Sequence, residues 1–469
     1  MLIDIVIIIV YLLLINIVGI CSSKVSDMKS YFLGDNKLPW PAVCLSIAAT
    51  ETSALTVISL PGLAYISGIG FLQIAAGYII GRIFVAVFLI PQYYGGKLQT
   101  VYEYLQIKFG VMPRTLVSII FHITRLIADA IRLFATSIPL AMLMGIDHRF
   151  AILIMGGATL IYTLWGGIRS VVIIDSIQFF LYLSCAFITL PLVCQLMGFS
   201  FIDVFSAIPA ERLSILKNTG NYSPLTGIIC GTMLSIASHG TDHLMVQRVL
   251  SCAGESGAKK AMVWSGIIVF FQMALFLLAG LFIAQLFGNR HFARPDEIMP
   301  AFIVENVPAG LRGIMLAGIL SAAMSSLSST INSLSASTAM DILHIDKKNI
   351  SREKQLKFSK LISLFWMIVL VLAAMPFSNT QSPLIELGLG ISSLVYGGVL
   401  AIFLEARFSK KMSDKSAVAG MLLGITATIA LTNLFNIFWT WYIPIGLCTA
   451  IATSFFLDKI TKKFYRNPL

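Results

Sequence analysis

Residues 321–341 read SAAMSSLSSTINSLSASTAMD, a nearly uncharged ladder of small hydroxyl side chains in a chain that is otherwise strongly apolar. On a helix, Ala322, Ser325, Ser326, Ser329 and Ser333 follow i, i+3, i+4, i+7 and i+11 and share one face, with Ser328 at its edge. Such a face can coordinate. Small residues let a second backbone come close, and hydroxyl oxygens at that distance can replace the water shell of a hard cation. The same face equally suits a packing seam between helices.

A second polar break lies in SIAATETSALTVISLPG, where Thr50, Glu51, Thr52 and Ser53 interrupt an apolar run near its middle. A helix broken there frees backbone carbonyls, which are good ligands for sodium; a continuous helix with Glu51 hydrogen-bonded to a neighbour is the other reading. Either way, an intramembrane carboxylate seldom serves packing alone. Further on, RLIADAIR places Asp129 one helical turn from both Arg125 and Arg132. An internally compensated cluster is one outcome, and the surplus positive charge would suit an anionic group on a substrate. Asp175 enters a span after the tight turn at Gly166 and Gly167, as either a ligand or a helix-start charge. His239 alone reads as a satisfied buried histidine.

These residues need a membrane around them. The hydrophobic fraction is 57%, only 12% of residues are charged and the mean hydropathy is +0.88, which excludes an ordinary soluble domain of 469 residues. Thirteen apolar spans begin near residues 2, 39, 66, 114, 150, 170, 225, 261, 310, 358, 384, 416 and 438. No stretch between them is long enough for a second folded domain. The expected class is therefore an all-α polytopic membrane protein.

The first span has Asp4 ahead of it and no cleavage site after it, so it reads as a retained helix. Alternate loops, from Lys24, Lys29 and Lys37 to Lys459, Lys462, Lys463 and Arg466, hold 25 of the 33 Lys and Arg, with Arg82 counted at a helix end. Arg149, Arg212, Lys217, Arg290, Arg294 and Arg312 lie on the opposite side. That asymmetry places the N-terminus outside and the C-terminus in the cytoplasm. The net charge of +11 is thus an insertion signal, and nucleic acid is not an expected partner. Seven Cys without metal spacing read as core thiols. With no nucleophile–base pair or phosphate loop, the chain does not read as an enzyme.

ATETSA in a broken early span, GGIRSVVIIDSIQ at a short inner turn, TDHLMVQR, and AAMSSLSST in a late small-residue helix come in that order. As a set they resemble the sodium:solute symporter family over nearly the whole chain. The resemblance implies a leucine-transporter-like fold in a single domain, 1–469. It would hold two inverted five-helix repeats at about 39–197 and 225–405, one helix before them at 2–20 and two after them at 416–458.

It further implies a sodium site from the backbone carbonyls of Ala49, Thr52 and Ala322 and the hydroxyls of Ser325 and Ser326. Members similar to bacterial sialic acid transporters bind a second sodium at positions matched here by Asp175, Ser328 and Ser329, so one or two ions per cycle are expected. Glu51 matches a position that is Asp in proline transporters. The substrate cavity would involve Ser53, Thr56, Phe71, Gln73, Ser235, Ser238 and Ser392, with Arg132 favouring a carboxylate.

The expected activity is sodium-coupled import of a small polar organic solute, a sialic acid, other organic acid or amino acid, across the inner membrane by alternating access. A sodium/sugar symporter is the alternative, although Glu51 and Thr56 depart from the Asn and Gln of galactose transporters. An uncoupled channel, a proton-coupled carrier and a membrane sensor are rivals from other classes, the last disfavoured by the short basic tail after residue 458.

Overall fold

A computed structural model describes residues 2–23, 25–216, 224–288, 290–377, 384–409 and 412–466. Lys24, Lys217, Lys410 and Lys411 of the charge count lie outside the described residues. The principal helices are α1 (Leu2–Cys21), α2 (Trp40–Glu51), α3 (Ala54–Ser67), α4 (Leu72–Gly95), α5 (Val111–Met144), α6 (His148–Met197) and α7 (Pro224–Gly240). They continue with α8 (His243–Ser251), α9 (Glu255–Phe287), α10 (Leu311–Ser337), α11 (Arg352–Ala374), α12 (Leu384–Phe408), α13 (Asp414–Phe435) and α14 (Tyr442–Arg466). The described residues form no named strand.

Nine described helices are long and apolar enough to cross a membrane, ten with the bent pair α2–α3 taken as one span. Length and apolarity alone thus do not reach the thirteen spans expected. Two reasons are visible: α6 runs 50 residues through two expected spans, and α7 has only 17 residues. The expected turn at Gly166–Gly167 is a kink at a single residue. Gly167 adopts φ 57°, ψ −162°, and a Cβ there would lie 2.6 Å from the Tyr31 backbone oxygen. Only glycine accepts both demands.

Two glycine pairs spaced by four residues, Gly77/Gly81 on α4 and Gly227/Gly231 on α7, draw those helices together. A Cβ on Gly77 would sit 2.4 Å from the Ile228 oxygen, and one on Gly231 would sit 2.2 Å from the Ile74 oxygen. Such close approach is how membrane helices gain packing without a hydrophobic driving force between them.

At the centre stands α10. It packs against α6, α5, α1 and the α2–α3 pair, and every residue from Met315 to Ser337 is buried. Its N-terminal end is fastened to α1: Asp4 accepts hydrogen bonds from the backbone N–H of Gly310 (2.8 Å) and Gly313 (3.1 Å) and from Arg312 Nη2 (2.7 Å). A carboxylate from a distant helix therefore serves the exposed amide groups at the start of α10. Of the seven thiols, Cys44, Cys185, Cys230 and Cys252 are in the core as expected, while Cys21 and Cys448 are exposed and Cys194 is half-buried.

Candidate functional site

The polar interruption at residues 50–53 is a true break. Thr52 (φ −82°, ψ 91°) and Ser53 (φ −79°, ψ 169°) leave the helical region, and α2 and α3 are bent by 62°. The N–H groups that would close helical turns over Ala49 and Thr52 are redirected. Ser53 donates to the Glu51 oxygen (3.1 Å) and Thr56 to the Ser53 oxygen (2.9 Å), which releases the Ala49 and Thr52 carbonyls from the ladder.

Across from the break lies the serine ladder. Ser326 Oγ donates to the carbonyls of Ala322 (3.2 Å) and Thr50 (3.4 Å), so the two elements meet. Ser325 Oγ is fully buried and makes no hydrogen bond. A buried hydroxyl without a partner is costly, and a cation would satisfy it. The donor set is all oxygen, and no group of three His, Cys, Asp or Glu that could hold a metal occurs among the described residues. These residues fit sodium.

One turn along the ladder, Asp175 is fully buried and divides its oxygens. Oδ2 accepts from Ser46 Oγ (2.6 Å), Thr50 Oγ1 (3.5 Å) and Arg248 Nη2 (3.4 Å), while Oδ1 has no hydrogen bond. Arg248 Nη2 also donates to Ser329 Oγ. Ser328 and Ser329 both donate to the Ser325 carbonyl, at 3.1 and 2.6 Å. Of the three residues expected at a second ion site, Asp175 and Ser329 are thus joined by one guanidinium, and Ser328 shares the Ser325 carbonyl with Ser329.

Beside these oxygens opens a cavity lined by Thr50, Glu51, Ser53, Thr56, Phe71, Tyr78, Arg125, Arg132, Ser238, His239, Ser326, Thr330, Ser392 and Tyr396. Each arginine on its wall has a carboxylate. Arg125 bonds Asp242 through Nε (3.1 Å) and Nη2, and Tyr396 donates to the same oxygen (2.6 Å). Asp242 thereby removes the surplus positive charge expected from α5. Arg132 holds Asp129 through Nη1 (2.9 Å), yet its Nε is buried without a partner.

Glu51 is paired with Arg82, whose Nη1 also donates to Ser265 Oγ of α9 (2.6 Å), and His239 Nε2 lies 3.7 Å from Glu51. Arg82 is fully buried within α4, not at a helix end as the charge count took it. Arg114 and Arg248 are likewise buried ion-pair partners, of Asp341 and Asp175. A lone mid-membrane Glu51 requires a cation, and Arg82, ten residues into an apolar helix, was the signal available in sequence.

Of the expected substrate residues, Ser53, Thr56, Phe71, Arg132, Ser238 and Ser392 line the cavity. Gln73 and Ser235 do not. Gln73 donates to the Ile215 carbonyl (2.5 Å), tying α4 to the segment before α7, and Ser235 to that of Tyr78 (3.1 Å), tying α7 to α4. Arg82, Asp242 and Tyr396 complete the site's charge balance.

The chain is similar to known transporters along its length. It is 27% identical to the sodium/sialic acid symporter of Proteus mirabilis, covering 95% of this chain and 92% of that protein. It is 26% identical to sodium/glucose cotransporter 1 of Ovis aries, over 90% of this chain and 70% of that one. A substrate-bound, outward-open sodium-coupled sialic acid symporter superposes with a TM-score of 0.87 at 25% identity, over 98% of each chain. The fold is leucine-transporter-like, and the protein is a transporter, not an enzyme. The sequence model of the sodium:solute symporter family matches residues 31–424, so this chain belongs to that family and is a multi-pass membrane protein carrying out sodium-coupled symport of an organic solute.

Proposed function

We propose that the solute is a carboxylate-bearing organic acid of the sialic acid class, anchored by Arg132. The observation that carries this is the unpaired Arg132 Nε in the wall of the cavity, while Arg125 is committed to Asp242 and Tyr396. Partial pairing with Asp129 holds the guanidinium in place and leaves donors for a planar anion. The similarity to sialic acid symporters supports the same class.

In this reading sodium is held by the carbonyls of Ala49, Thr52 and Ala322 and the hydroxyls of Ser325 and Ser326. A second ion would use Asp175 Oδ1 with Ser328 and Ser329, Arg248 guarding the opposite oxygen. An ion that ties α2 to α10 favours the outward-open state; rocking of two inverted repeats, 39–197 and 225–405, then releases ion and solute inside. The chain sits in the inner membrane, N-terminus out and C-terminus in. A membrane potential adds about 2.3 kcal/mol per charge per 100 mV, so the ion count sets how steeply solute accumulates.

The test is thermal stabilisation of the purified protein by sialic acids, amino acids, monocarboxylates and sugars, with sodium or choline. A ligand that binds only the native state raises the melting temperature. A sodium-dependent shift with N-acetylneuraminate that disappears in Arg132→Ala supports the reading. A shift with a neutral sugar that survives Arg132→Ala overturns it.

A further inference from the structure

The arginine wall and the cation region are joined by one continuous line of contacts. Asp129 on α5 accepts from Arg132 Nη1 at 2.9 Å on Oδ1 and from Thr330 Oγ1 of α10 at 2.6 Å on Oδ2. Asp129 is 4% exposed and Thr330 1%, so solvent does not screen the pair. Thr330 stands one turn from Ser326 on the ladder, and Ser326 reaches the Thr50 carbonyl across the helix break. From the broken helix to the free edge of Arg132, each step is a hydrogen bond or a single helical turn.

We propose that Asp129 and Thr330 are positioning residues that couple ion binding between α2 and α10 to the orientation of Arg132. The proposal rests on the assignment of Arg132 as the solute anchor and of the ladder as the ion site. The physics is simple. An ion that draws oxygens of the α2 break toward α10 fixes the rotation of α10 at Ser326 and therefore at Thr330. Thr330 then fixes the carboxylate of Asp129, and Asp129 fixes the guanidinium in the pose that meets an anion. With α10 unfixed, Asp129 turns toward Arg125, whose Nη1 already lies 3.8 Å from Oδ2, and Arg132 loses its brace. By linkage, the solute must tighten ion binding by the same factor.

The experiment compares wild type, T330V and T330S, all full length and purified. Hydrogen exchange over residues 127–133, read in sodium and in choline, needs no solute. Sodium protects this stretch in wild type and T330S, and that protection is lost in T330V although sodium still raises its melting temperature. In a second measurement, N-acetylneuraminate affinity rises from low to high sodium by about 5–150-fold in wild type and T330S and by a factor near one in T330V. T330V with wild-type protection and a wild-type ratio overturns the proposal. So does T330V that no longer responds to sodium at all, since Thr330 would then belong to the ion site. If N-acetylneuraminate fails to bind wild type, the solute assignment falls, and the exchange result still decides the relay.

Discussion

The two walls of the site handle polarity in opposite ways. On the α5 side every charge is answered: Arg125 by Asp242 and Tyr396, Arg132 by Asp129, and Asp129 in turn by Thr330. Opposite it, Ser325 Oγ of α10 and Asp175 Oδ1 of α6 are buried beside one another, each without a hydrogen bond of normal length. Burying an ion without its partner costs far more than burying a hydroxyl without one, so a structure can leave hydroxyls waiting but not guanidinium groups. The α5 wall is closed by its own ion pairs save for one edge at Arg132, and the α10 wall keeps oxygens that no neighbour takes up.

Breaking the first wall gives the largest effect. Asp242→Ala strands Arg125 in the core and destabilises the protein by about 3–5 kcal/mol in a reversible unfolding assay in detergent. R125M/D242L, which removes both charges, recovers most of that loss. Next comes Arg132→Ala, whose effect falls on the solute: loss of one or two charge-assisted hydrogen bonds weakens carboxylate binding about ten- to a hundredfold, with little change in sodium-dependent melting.

Ser325→Ala sharpens the contrast from the other side. No hydrogen bond is lost, so stability in choline changes by less than about 1 kcal/mol, while the sodium-induced rise in melting temperature disappears. Smallest is Arg290→Gln in the segment between α9 and α10, where Arg290 meets Glu305 at 2.5 and 2.8 Å in the open. Hydrogen bonds from Arg290 hold the Glu305 carboxyl below its ordinary range. Any stabilisation from this pair is present above the unfolded carboxyl value and lost as pH falls through the folded one. A screened surface pair contributes little, and no resolvable melting shift is expected at neutral pH.

Much of this was legible in the residues. Thr50–Ser53 announced the break because polar backbone-competing side chains at mid-span have few other uses, and the spacing of Ser325, Ser326 and Ser329 put them on one face. The charge partners were not legible. Spacing along a helix pairs Asp129 with its neighbours, but it cannot see that Asp242, 117 residues from Arg125, takes up that guanidinium. Arg82, Arg114 and Arg248 were hidden for a related reason: an arginine near a span's end looks like an inside-rule charge until tertiary packing buries it. Gln73 and Ser235 lie outside the cavity wall because a polar side chain between packed segments can be satisfied by a neighbouring carbonyl.

The clasp between Asp4 and the start of α10 has a meaning for assembly. The partners are 306 residues apart, so at ordinary synthesis rates Asp4 waits roughly 15–60 s before Gly310 has been made. For that interval Asp4 lacks the three donors that the start of α10 supplies. The late arrival of Gly310, Arg312 and Gly313 then provides them. Closure of the clasp thus joins the first helix to the central one, and a chain stalled before that point would lack the bonds from Gly310, Arg312 and Gly313.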